Sequence, residues 1–126
     1  MRLNHVALLC SSEQKADDFY QGILGLRKMK SAILPSELSR QIFGVDLECP
    51  LLLYGNDQMK VEVFLADPPH ERGPRFEHIC LEVDDREAFM KECQGSNVAV
   101  NLVPKEDRLL LFIQDFDGNI FEIKEK

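Results

Sequence analysis

The chain has 126 residues, 44% hydrophobic and 29% charged, and its 15 basic and 22 acidic side chains leave a net charge of −7. That balance is globular; it excludes global disorder, and no uncharged apolar run approaches the roughly 20 residues that span a bilayer. An acidic chain repels phosphate backbones, so nucleic acid is not an expected partner, and a chain of this length buries roughly two thirds of its unfolded surface without needing a metal or disulfide to fold.

Met1-Arg2-Leu3-Asn4-His5 does not read as a signal peptide, because Asn4, His5 and Glu13 interrupt the apolar stretch; a cytoplasmic location is expected. Leu3 to Cys10 predicts a strand. A helix follows: Ser11 with Gln14 forms a capping box, and Asp17 and Asp18 lie near its positive end. Ala16, Phe19, Tyr20, Ile23 and Leu24 keep helical spacing, and Gly25 is the stop. Strand-like segments come at 26–33, 47–55 and 59–66, with a turn at Asn56-Asp57. Pro35 to Gly44 reads as a short inserted helix, either a lid or dimer contact or plain surface. Asp67 to Arg75 is a Pro- and Gly-rich linker with His70 as a solvated loop residue.

The second half repeats the plan. Phe76 to Val83 predicts a strand, Asp84 with Glu87 a cap, and Ala88, Phe89 and Cys93 a helical stripe closed by Gly95. Strands follow at 98–103, 108–114 and 119–124, with a turn at Asp117-Gly118-Asn119. Laying His5 on His78 brings Ser11-Ser12 onto Asp84-Asp85 and Gln21-Gly22 onto Gln94-Gly95. The expected architecture is α+β: one domain over 1–126, made of a βαβββ module at about 1–66, a linker at about 67–75 and a second βαβββ module at about 76–126. The four cysteines, Cys10, Cys49, Cys80 and Cys93, form no C-x-x-C pair and are expected as small buried hydrophobes in a reducing compartment, not as disulfides or zinc ligands.

Each half sets a histidine near the start of its first strand and a glutamate inside its last, in Val61-Glu62-Val63 and Phe121-Glu122-Ile123. Parity places His5 with Leu3, Ala7 and Leu9, sets Glu62 and Phe64 opposite Val61, Val63 and Leu65, and groups Ile120, Glu122 and Lys124 opposite Phe121 and Ile123. His78 shares a face with Cys80, for which core packing is expected over a place lining the site; Tyr54 and Arg108 are candidates to approach it. A carboxylate in an apolar strand is costly unless it faces water or is paired. Two readings stand on these residues alone. Either the histidines are hydrogen-bonded structural residues and the glutamates a solvated face, or His5, Glu62, His78 and Glu122 form an N₂O₂ set for a divalent ion.

The stretches Leu3-Asn4-His5-Val6-Ala7, Phe19-Tyr20 with Ile23-Leu24-Gly25-Leu26, Phe76-Glu77-His78-Ile79, Val83-Asp84-Asp85 and Phe112 to Asn119 ending in Phe121-Glu122 resemble the vicinal oxygen chelate superfamily. That group holds glyoxalase I, methylmalonyl-CoA epimerase, extradiol dioxygenases and antibiotic-resistance proteins. The resemblance implies paired βαβββ modules in a cup-shaped mixed sheet with helices outside, and metal ligation by His5, Glu62, His78 and Glu122. The ion implied is zinc, nickel or cobalt, with iron or manganese behind. By resemblance to glyoxalase I, Glu122 and Glu62 move the proton while a 2-oxoaldehyde thiohemiacetal becomes a 2-hydroxyacyl thioester through a metal-bound enediolate; a small-molecule substrate and a homodimer are expected. Alternatives are an acyl-thioester epimerase, in which Gln typically replaces Glu62, and a metal-free drug-binding resistance protein. Leu8 and Leu9 stand where glutathione-using relatives often carry Arg, and Val63-Phe64-Leu65-Ala66 stands where an Asn-Trp segment often follows the first metal Glu, so the thiol is left open.

Overall fold

Each half of the chain builds its own four-stranded sheet. The computed structural model describes residues 1–67 and 75–126, so most of the expected linker, His70 included, lies outside the described residues. The chain divides into two units, Met1–Pro68 and Pro69–Lys126.

In the first unit, β1 (Val6–Cys10) is followed by α1 (Glu13–Ala16), which widens into a π-helical turn over Asp17–Gln21. Then come β2 (Arg27–Leu34), α2 (Ser36–Phe43), β3 (Cys49–Gly55) and β4 (Lys60–Leu65). The sheet order is β1-β4-β3-β2, with β1 parallel to β4 and the other pairs antiparallel. Alternation decides the core: Leu52, Tyr54, Val61 and Val63 are buried to within 1% and face the helix, whose Ala16, Phe19 and Tyr20 have no exposed surface. Tyr20 stacks on Tyr54 at 5.4 Å and meets Phe19 edge-on at 5.1 Å. Gly25 takes φ +66°, which lets Leu26 N–H reach back to the Tyr20 carbonyl and stop the helix. The inserted helix forms as expected, between Pro35 and Gly44. At the outer edge, the pairing of β2 with β3 shifts between Lys28 and Lys30.

The second unit holds β5 (Ile79–Val83), α3 (Arg86–Gly95), β6 (Ala99–Lys105), β7 (Arg108–Gln114) and β8 (Ile120–Glu125), in the order β5-β8-β7-β6. β5 runs parallel to β8 and the rest is antiparallel. Leu111, Ile113, Phe121 and Ile123 are buried, and α3 packs on β6 and β8 with Cys93 fully covered. The outer strand β6 contains Pro104. The turn into β8 is built by buried Asp115, whose Oδ1 accepts from Asp117 N–H at 2.9 Å and Asn119 N–H at 2.8 Å.

Several expectations are corrected. Both first strands are shorter, because the ladders begin at Val6↔Val61 and Ile79↔Phe121; Leu3 to His5 and Phe76 to His78 have no strand partner. The caps sit one residue later: Ser12 accepts from Lys15 N–H at 3.2 Å and Asp85 from Ala88 N–H at 2.9 Å. α3 runs through Gly95, and Asn97 takes the left-handed turn at φ 59°; Ala88, assigned to its stripe, is exposed. Cys80 is exposed and not in the core, because it lies opposite Glu122 on the face away from Phe121 and Ile123. Tyr54 cannot approach Glu62, since its partner Val61 puts it on the helix side. All four cysteines are free thiols.

Candidate metal centre

In both units the register lifts one glutamate out of an apolar strand onto the sheet face opposite the first helix, α1 in the first unit and α3 in the second. Glu62 lies opposite Ala7 on β1 and Leu53 on β3; Glu122 lies opposite Cys80 on β5 and Phe112 on β7. Their side chains keep 24% and 17% of their exposure, enough for a ligand to reach the carboxylates and little enough to weaken water's screening.

A histidine meets each carboxylate from the residue just before the parallel strand. His5 Nε2 is 4.0 Å from Glu62 Oε1, and His78 Nε2 is 3.6 Å from Glu122 Oε2. The other ring nitrogen is tied in both cases. His5 Nδ1 lies 2.9 Å from Asn4 Oδ1, and His78 Nδ1 lies 2.7 Å from the Phe76 carbonyl. Both partners are acceptors, so Nδ1 carries the proton, and in the neutral ring Nε2 turns its lone pair toward the glutamate. That is the arrangement by which metal-ligating histidines are oriented.

The spacing is informative. At 3.6–4.0 Å the nitrogen and oxygen are too far apart for a hydrogen bond. Donors about 2.1 Å from one ion at tetrahedral angles lie about 3.4 Å apart, so each pair would need to move only about half an ångström or less to hold one. Among the described residues, no group of three or more His, Cys, Asp and Glu is gathered as a metal site. Each unit holds one such histidine–glutamate pair. In the second unit Glu122 also faces Lys124, 3.8 Å from its other oxygen, and the His78 ring meets Phe112 edge-on at 6.0 Å. Arg108 shares a recess with Glu122 and Lys124. Desolvation at the Cys80 sulfur, then the charge and hydrogen bond of Glu122, push that thiol above its ordinary value.

Three features escape sequence reading. Asn4 was visible only as the neighbour of a candidate ligand, and Phe112 becomes a site residue only through its pairing with Glu122. Arg75, Asn101 and Gln114 line a recess of about 420 Å³ beside His78, which no motif marks.

Two βαβββ units, each with an imidazole and a carboxylate on the sheet face opposite its first helix, define a class of protein. The family model described as Glyoxalase/Bleomycin resistance protein/Dioxygenase superfamily matches residues 4–108, and the chain belongs to that superfamily. The chain is 26% identical to a lactoylglutathione lyase of Neisseria meningitidis serogroup A, over all of this chain and 91% of that protein. Its fold is similar to a glyoxalase family protein of Bacillus cereus, with a TM-score of 0.75 at 15% identity over 99% of this chain and 93% of the other. It is also similar to the fosfomycin resistance protein FosX of Listeria monocytogenes solved with Mn(II) and sulfate, with a TM-score of 0.71 at 18% identity over 97% and 89%. Among the described residues no helix is long and apolar enough to cross a membrane.

Proposed function

We propose that this protein is a divalent-metal-dependent lyase of the glyoxalase I type, isomerising the thiohemiacetal of a 2-oxoaldehyde to a 2-hydroxyacyl thioester. His5, Glu62, His78 and Glu122 are the proposed donors, and a symmetric homodimer is proposed with them. The observation that carries this reading is the duplication of one arrangement: an Nδ1-tethered imidazole facing a half-buried carboxylate, once in each unit. Nitrogen and oxygen donors suit zinc, nickel or cobalt ahead of iron or manganese. The likeness to lactoylglutathione lyase and the Mn(II) held by FosX point the same way.

Bound there, such an ion would supply Lewis acidity to the substrate's oxygens. The chain's own residues do the rest. His5 and His78 hold their Nε2 atoms in place through Asn4 and the Phe76 carbonyl. Glu122, with Glu62, takes the proton from the carbon bearing sulfur and returns it to the adjacent carbon. The reaction is an isomerisation, so no oxidant or reductant is consumed.

Metal analysis of untagged protein tests this reading. Expected is one divalent ion per set of four donors, lost in both Glu62→Ala and Glu122→Ala. Absence of metal in wild type after reconstitution with nickel, cobalt or zinc overturns it. The bleomycin resistance proteins named in the family's description favour a second reading, a resistance protein that binds a small molecule without metal; ligand binding indifferent to a chelator would select it.

A further inference from the structure

The Glu62 face of the first sheet continues into a recess against helix α2. Glu62 pairs with Ala7, and Phe64 shares its face two residues further along β4. Ala7, Leu9 and Phe64 line an open recess of about 320 Å³ bordered on other sides by Leu34, Phe43 and Cys49. No charged side chain lines it. Its polar groups are the hydroxyl of Ser39 and the thiol of Cys49, both buried, and the thiol is hydrogen-bonded to the Pro50 and Leu65 carbonyls at 3.4 and 3.6 Å. Burial pushes that thiol above its ordinary value, so it stays neutral. The inserted helix α2 supplies one wall, Phe43, which meets Phe64 edge-on at 5.6 Å.

Size and lining together select what fits. A water occupies about 30 Å³ of liquid, and a methyl group is similar in size, so a methyl substituent would leave most of this space empty. An aromatic or branched aliphatic group would fill far more of it and take more apolar surface out of water. A charged or strongly hydrated group would lose its solvation against these walls.

We infer that the substrate carries a bulky apolar side chain, aromatic or branched aliphatic, received by this recess with the reacting oxygens at its Glu62 end. The inference deepens the lyase reading and rests on it. Turnover of thiohemiacetals made from methyl-, isobutyl- and phenyl-substituted 2-oxoaldehydes tests it on the metal-loaded protein. Expected is a kcat/KM at least about tenfold higher for phenyl than for methyl. Ala66→Phe, which fills the recess from its rim, should bring that ratio close to one, and Phe43→Ala should lower it severalfold. A ratio taken within one variant is independent of how much protein folds. Saturation-transfer NMR with 3-phenyllactate against lactate gives a second readout without turnover. Turnover with no preference for the bulky substrates overturns the inference and leaves the lyase reading standing. No turnover, with 3-phenyllactate bound by wild type and not by Ala66→Phe, supports the ligand class and overturns the lyase reading. Neither turnover nor binding overturns both.

Discussion

The two units share a plan but differ in what lies beneath the sheet. Laying cap Ser12 on cap Asp85 sets Asp17 on Met90. The ladders set Tyr54, opposite Val61, on Ile113, opposite Phe121, and Lys28, opposite Tyr54, on Val100, opposite Ile113. The first unit fills these three places with a polar clasp. Tyr54 donates to Asp17 at 2.7 Å, and Lys28 donates to Asp17 at 3.0 Å and to Glu13 at 2.7 Å. The second fills them with methionine, valine and isoleucine. A buried polar group whose partners are all present and an apolar group of matching shape are both admissible solutions, so the duplicated scaffold tolerates either. The His–Glu pair, by contrast, is present in both units, as the proposed metal centre requires.

The largest expected effect would break the equivalence of the pairs. Glu122→Gln should lower kcat by roughly 10²–10⁴-fold with the circular dichroism spectrum unchanged. Glu62→Gln in the same assay shows whether the units share proton transfer or the second holds it alone. Next comes the clasp: Tyr54→Phe should cost about 1–3 kcal/mol in urea unfolding, whereas Ile113→Val, its counterpart, should cost about 0.5–1.5 kcal/mol. Equal costs would erase the distinction drawn here. Third, Asn4→Ala should weaken metal binding by about tenfold, read by titration calorimetry. No side-chain deletion can do the same at His78, whose tether is a backbone carbonyl. A fourth change acts at the Asp115 turn of the second unit: Gly118 holds φ +83°, and Gly118→Ala should cost about 1 kcal/mol of stability.

The smallest effect sharpens the comparison through pH. Desolvation works against the Asp17 charge, but the hydrogen bonds from Lys28 and Tyr54 outweigh it and hold the carboxyl below its ordinary value. A lowered folded-state value means that the stabilisation is present above the unfolded value of about 3.9 and fades as pH falls below it. The stability gap between wild type and Asp17→Asn should therefore close as pH drops below about 4. The Lys28 ammonium is raised by its hydrogen bonds to Asp17 and Glu13, so its contribution is complete below about 10.4 and fades above. Met90, Val100 and Ile113 do not titrate, so the corresponding places in the second unit add nothing to either window.

Period-two alternation made most of the strands legible, and with them the glutamate face of each sheet. His5, Glu62, His78 and Glu122 were legible as candidates, but their pairing within each unit follows from the parallel ladders of β1 with β4 and β5 with β8, which local pattern does not specify. Details that depend on a partner were not legible. Ser11-Ser12 and Asp84-Asp85 each offer two capping residues, and only the helix start chooses between them. The facings of Tyr54 and Cys80 follow from ladders with Val61 and Glu122, which local pattern does not specify. The Phe76 carbonyl carries no sequence signal at all, since every residue has one. The π-helical turn at Asp17–Gln21 follows from i to i−5 bonds, Gly22 to Asp17 and Leu24 to Phe19, inside an otherwise ordinary helical pattern.

The outer strands carry a consequence for how copies of this chain behave at high concentration. A sheet edge with a regular row of free amide and carbonyl groups invites another chain to add a strand and propagate. β6 interrupts that row with Pro104, which has no N–H to offer, and β2 interrupts it with the shift between Lys28 and Lys30. β1 and β5, the opposite edges of the two sheets, pair with their neighbours without a shift, so fibril-like growth would have these two edge strands as its regular templates. Replacing Pro104 with a β-branched residue would give β6 back its missing donor and open a third.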